Sequence, residues 1–122
     1  MTKTVLSVDD SPSVRQMVRL TLSGAGYQVI EAGDGREGLA KAHGAAVDVV
    51  VTDINMPVMG GLELAVELRK LPAFNGVPIL CLTTESDPEI KGQARAAGAS
   101  GWITKPFRPE QLLAAVKKVL GE

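Results

Sequence analysis

The pattern that most limits the fold is an alternation: five short apolar runs, each followed by a segment with the period of a helix. Thr4–Val8 is the first run, and Ser11-Pro12 after it pairs an N-cap with proline at the first helical position. Val14, Met17, Val18, Thr21, Leu22 and Ala25 follow on one helical face, and Gly24 and Gly26 end the segment. Tyr27–Glu31 reads as the second strand. Asp34-Gly35-Arg36-Glu37 then has capping-box spacing for a short helix closed by Gly44. Val47–Thr52, apolar and β-branched, reads as a strand covered on both faces, and a loop holding Asn55-Met56-Pro57 leads to a helix from about Gly61 to Lys70. Val77–Thr83 is another buried strand. Asp87-Pro88-Glu89 opens a fourth helix with Ile90, Ala94 and Ala97 on one face and Gly98 beyond its end. Ser100–Thr104 is a short fifth strand, and Pro109 starts a last helix with the stripe Leu112, Leu113, Val116, Val119 and Leu120.

Five such units imply the α/β class, a doubly wound five-stranded parallel sheet flanked by five helices. Right-handed crossovers leave few strand orders. A length of 122 residues fits one domain spanning 1–122. The chain stops after the fifth helix, so no attached effector domain is expected. Hydrophobic residues at 45% suffice for one core. A net charge of −1 gives no electrostatic reason to expect nucleic acid or an anionic membrane as partner. The single Cys81 excludes an internal disulfide and fits a reducing compartment. Met1–Thr4 does not resemble a signal peptide, and no apolar run reaches the roughly 20 residues of a membrane span. A cytoplasmic monomer without membrane insertion is the expectation.

The polar residues collect where the strands end. Asp9 and Asp10 follow the first strand, Asp53 the third, Thr83 and Thr84 close the fourth, and Lys105 follows the fifth. The second strand brings only Glu31. In an open α/β sheet these ends form the ligand crevice. Three carboxylates placed together repel one another, and a hard divalent cation such as Mg²⁺ or Mn²⁺ gives them a reason to stay. A carboxylate is also a competent nucleophile toward phosphorus. Lys105 and the metal would neutralise phosphoryl oxygens, and Thr83 would donate a hydrogen bond.

Val8-Asp9-Asp10-Ser11, Asp53-Ile54-Asn55-Met56-Pro57, Leu82-Thr83-Thr84 and Lys105-Pro106-Phe107 together resemble the receiver domains of response regulators, in order and spacing. The likeness covers essentially the whole chain. It implies strand order 2-1-3-4-5, the CheY-like, flavodoxin-like arrangement. It implies Asp53 as phosphoacceptor from a histidine kinase, with Asp9, Asp10, Asp53 and the Asn55 main-chain carbonyl as metal ligands. Thr83 and Lys105 would contact the phosphoryl group, and the Lys105-Pro106 bond would be cis. Thr83, Thr84 and the switch aromatic would form the surface read by a phosphorylation-dependent protein target. That aromatic is here Trp102, where the family usually has tyrosine, phenylalanine or histidine. Gly60 replaces a frequent aspartate, leaving the third helix without a carboxylate cap, and Arg108 replaces a small polar cap before Pro109.

Plainer readings stand beside these. Asp9-Asp10 could only cap a helix, although Ser11-Pro12 already starts one. Thr83 could be a strand end, Thr84 a solvated side chain, Lys105 a surface lysine, and Trp102 a core residue. His43 is assigned nothing, Cys81 reads as a buried hydrophobe, and Met17, Met56 and Met59 as packing. The resemblance implies a signalling domain rather than an enzyme, with autophosphorylation from small donors and autodephosphorylation. Asn55 and Glu85 favour a stand-alone chemotaxis-type regulator; the alternative is a relay carrier serving a histidine phosphotransfer protein. An aspartate-nucleophile phosphatase of the haloacid dehalogenase kind needs its two acids one residue apart, whereas Asp9 and Asp10 are adjacent. A flavodoxin-type module needs a phosphate-cradling loop where this chain has carboxylates.

Overall fold

Local capping chemistry sets where the helices begin. The computed structural model describes residues 2–84 and 88–122. α1 (Pro12–Gly24) starts with Pro12 inside it and the Ser11 hydroxyl accepting the Val14 N–H at 3.4 Å. α2 (Gly35–Ala42) starts at Asp34, whose carboxylate accepts the Glu37 N–H at 2.8 Å. Glu37 answers by accepting the N–H of Gly33, one residue earlier than a strict capping box would have it. α3 (Gly61–Arg69) follows Gly60 with no side-chain cap, as the missing carboxylate predicts. α4 (Pro88–Ala96) is described from Pro88 onward; its expected opening at Asp87, and Glu85, lie outside the described residues. α5 (Pro109–Leu120) follows Arg108, whose N–H is taken by Gln111 Oε1 at 2.8 Å.

The strands β1 (Thr4–Val8), β2 (Gln28–Ala32), β3 (Val49–Asp53), β4 (Ile79–Thr83) and β5 (Gly101–Thr104) form one parallel sheet in the order β2-β1-β3-β4-β5. This is the order the resemblance implies. Strand alternation divides the core. Val5, Val49, Val51, Leu80 and Leu82 pack against Val18 and Leu22 of α1 and Leu112 and Val116 of α5. Leu6, Val8, Val50 and Ile79 face the other way, against Leu64, Ala65 and Leu68 of α3 and Ala42 of α2. Cys81 and Ile54 meet Ala94 of α4 on that second face. Burial of each such leucine or valine contributes about 1.5–3 kcal/mol, so both faces are held firmly, α4 least.

Boundaries differ from the sequence reading in a few places, each with a cause. β2 starts at Gln28 because the Tyr27 N–H is used to close α1, bonding the Leu22 carbonyl at 3.0 Å after Gly26 turns with φ +97°. β3 begins at Val49 and keeps Asp53 as its last residue, paired with Leu82. β4 begins at Ile79, after Pro78, which has no N–H for a ladder. A 3-10 turn at Pro72–Phe74 lies between α3 and β4, and Phe74 buries itself in the core. Among the described residues no helix is long and apolar enough to cross a membrane.

Candidate functional site

Parallel strands present all their C-terminal ends at one edge, so the residues ending β1, β3, β4 and β5 converge. Asp53 is the last residue of β3 and only 7% exposed. Asp9 follows β1, is 1% exposed, and bonds its N–H to the Ala32 carbonyl at 3.1 Å. Asp10, next along, is exposed. One carboxylate oxygen from each of Asp9, Asp10 and Asp53 lies within 4.8 Å of the others. Lys105, just after β5, places Nζ 3.3 Å from Asp9 Oδ2 and 3.4 Å from Asp53 Oδ1. The Lys105 N–H bonds the Thr83 carbonyl at 2.7 Å, and Lys105-Pro106 is cis. Thr83 ends β4 and is buried; Thr84 is exposed and lines a recess of about 280 Å³ with Val14, Met17, Lys105, Pro106 and Phe107. Asn55 lies exposed two residues beyond Asp53.

Electrostatics follow from this crowding. Burial, then the charge of Asp9, pushes the Asp53 carboxyl above the usual carboxylate range; Lys105 and the Asn55 N–H pull the other way. Asp9 Oδ1 also accepts the Ser11 N–H at 2.9 Å, an Asx turn that leads into α1, whose cap is Ser11 itself. Its Oδ2 remains turned to Lys105. Hard oxygen donors in this number are the set a small divalent cation prefers.

The expected residues therefore divide into two groups. Asp9, Asp10 and Asp53 are in mutual reach, and Lys105 meets Asp9 and Asp53. Trp102 is not with them: it sits in β5 opposite Cys81, half-buried on the α4 side, with Lys91 Nζ and Arg95 Cζ each 5.4 Å from its ring centroid. His43 is exposed at the end of α2. Two supports escaped the sequence reading. A methyl group on Gly61 would overlap the Asp53 carbonyl oxygen, and one on Gly60 that of Ile54, so the glycine pair lets α3 close directly behind Asp53. Arg15 Nη1 reaches back to donate to the Asp9 carbonyl at 2.5 Å. The Gly-Gly doublet was a visible signal; Arg15 carried none beyond its place in the first turns of a helix.

Residues 5–117 match the response regulator receiver domain family. The chemotaxis protein CheY1 of Helicobacter pylori is 40% identical over 119 residues, covering 96% of both chains. The phosphate regulon transcriptional regulatory protein PhoB of Pseudomonas aeruginosa is 37% identical over 122 residues, 97% of this chain and 52% of that protein. This chain thus spans about half the length of such transcriptional relatives. The crystallised chemotaxis protein CheY4 of Vibrio cholerae superposes with a TM-score of 0.95 at 51% identity, covering 98% of this chain and 99% of that one. Motifs, sheet order and these likenesses agree: the chain belongs to the response regulator receiver domains of two-component signalling.

Proposed function

We propose that Asp53 accepts a phosphoryl group from a phosphohistidine of a histidine kinase, and that the phosphorylated form presents an altered face to a protein target. The observation that carries this reading is the buried Asp53 carboxylate, flanked by Asp9 and Asp10 and 3.4 Å from the Lys105 ammonium. Asp53 Oδ attacks phosphorus, the P–N bond to imidazole breaks, and an acyl phosphate remains on Asp53. Lys105, already between Asp9 and Asp53, neutralises charge added at the phosphoryl oxygens, and the Thr83 hydroxyl donates to one of them. Clustered oxygen donors fit a Mg²⁺ or Mn²⁺ ion held by Asp9, Asp10, Asp53 and the Asn55 carbonyl. When bound, that ion supplies charge neutralisation for the incoming phosphoryl oxygens. Phosphorylation from small donors and spontaneous loss of the group belong to the same proposal, with the protein acting in the cytoplasm and no turnover of phosphomonoesters.

Chemotaxis-type signalling is the favoured setting, because the chemotaxis proteins CheY4 and CheY1 are 51% and 40% identical to this chain, against 37% for PhoB. The target face is proposed around Lys91, Arg95, Trp102 and Lys117. A relay role would show itself as transfer from Asp53 to a histidine phosphotransfer protein. The direct test is intact mass after exposure to acetyl phosphate and Mg²⁺. One phosphoryl group is expected on the wild type and none on Asp53→Asn; equal labelling of both would falsify Asp53 as acceptor.

A further inference from the structure

Arg15 belongs to no motif of the site, yet it is tied both to Asp9, just after β1, and to Glu31 of the edge strand β2. Side chains of a helix lean toward its N-terminus, so Arg15 in the first turns of α1 folds back over the β1–α1 turn. Its Nη1 donates to the Asp9 carbonyl at 2.5 Å, and its Nε lies 3.7 Å from Glu31 Oε1 on the edge strand β2. Glu31 is itself held, its carbonyl accepting from Lys41 Nζ. The carbonyl that Arg15 grips belongs to the peptide joining Asp9 to Asp10. With the Asp9 N–H bonded to Ala32 and its carboxylate to Ser11, the Arg15 contact fixes the remaining degree of freedom, the plane from which Asp10 departs.

We propose that Arg15 is a positioning residue for the acid cluster: anchored by Glu31, it sets the Asp9–Asp10 peptide plane and so holds Asp10 in register with Asp9 and Asp53. This rests on the reading of those three acids as a cation site. Partners that orient metal ligands are worth about 10–100-fold in affinity, although here the partner grips a backbone oxygen rather than a ligand atom. The competing idea is that Arg15 matters only as a nearby positive charge. Its sign is opposite, because removing a cation beside three acids would tighten binding of another cation.

Arg19 supplies an internal control. It lies one turn further along α1 and meets the same partner, with Nε 3.5 Å from Glu31 Oε2, but does not bond the Asp9 carbonyl. Calorimetric Mg²⁺ titration of the full chain, at temperatures well below each thermal midpoint, compares wild type, Arg15→Met, Arg15→Lys and Arg19→Met. Positioning predicts about tenfold weaker Mg²⁺ binding in Arg15→Met, a similar loss in Arg15→Lys, which keeps the charge without the fork, and wild-type affinity in Arg19→Met. Tighter binding in Arg15→Met, or unchanged affinity with only a lower midpoint, overturns the proposal. Absence of Mg²⁺ binding by the wild type itself would instead remove the cation site, and the proposal with it.

Discussion

Asp53 sits in surroundings that oppose its own charge, and its neighbours register the same field. The Cys81 thiol, in the adjacent strand, is pushed up to about 11 by burial and then by the charge of Asp53, so it is an inert small hydrophobe at neutral pH. At the opposite edge of the sheet Tyr27 shows burial acting on a different acid. Its hydroxyl donates to Glu122 Oε1 at 2.7 Å, joining the start of β2 to the end of α5. Burial first, then that hydrogen bond and the Glu122 charge, push its pKa from 10.0 to about 12. A phenol harder to ionise when folded contributes stability that is whole below about pH 10 and lost as pH climbs toward about 12. Tyr27 is the single tyrosine, so tyrosinate absorbance reads it alone. We expect its folded-state titration to lie well above that of the urea-unfolded chain. The stability difference between wild type and Tyr27→Phe should shrink through that window. Coincident folded and unfolded titrations would remove the Tyr27–Glu122 link.

At the scale of elements, α4 stands apart because so little of it is buried. Ala94 is its one buried residue among those described. Its C-terminal end is held from outside: Arg69 Nε and Nη2 donate to the Gly98 carbonyl at 3.1 and 2.8 Å, and Nη1 to Phe74 at 2.7 Å. Its remaining grip on the sheet includes Lys91 and Arg95 against the Trp102 ring. The strand pattern was readable because β-branched runs and glycines are local signals. The Arg69 staple and the cation pair on Trp102 were not, because each joins residues whose proximity only the assembled sheet creates. A phosphoryl group on Asp53 would give the Thr83 hydroxyl a charged acceptor, worth about 1.5–3 kcal/mol. Turning Trp102 inward would surrender two cation–π contacts of about 0.5–1 kcal/mol each. The difference, about 0.5–1 kcal/mol, leaves a shift toward the active state of only about two- to fivefold. Thr83→Ala should therefore remain phosphorylatable but lose most of the phosphorylation-dependent gain in target binding. Amide shifts on adding beryllofluoride should run from Asp53 to Trp102 in the wild type and stop short in Thr83→Ala; equal spread in both would break the coupling.

For the whole molecule, the legible part was the architecture and the convergence of acids, since both follow from five repeats of one unit and from what parallel strands do at their C-terminal ends. What stayed hidden is the support behind that convergence, Arg15 on the turn behind the acids, whereas Lys105 was expected at the site and lies between two of the carboxylates. Lys105 offsets one negative charge of three, so the cluster still burdens the folded state with repulsion that the unfolded chain does not feel. A cation bound only by the folded state adds RT ln(1 + [L]/Kd), about 2.7 kcal/mol at a hundredfold excess over Kd. For a domain of this size that is several degrees in thermal midpoint. Millimolar Mg²⁺ should produce such a rise, beyond that given by NaCl at matched ionic strength, which screens the acids without binding them. Asp10 is the exposed member of the three, so removing it leaves packing intact. Asp10→Ala should thus melt no lower than the wild type without Mg²⁺, and gain little when Mg²⁺ is added. A wild-type midpoint that responds to Mg²⁺ only as it does to NaCl would mean that the three carboxylates do not form a cation site.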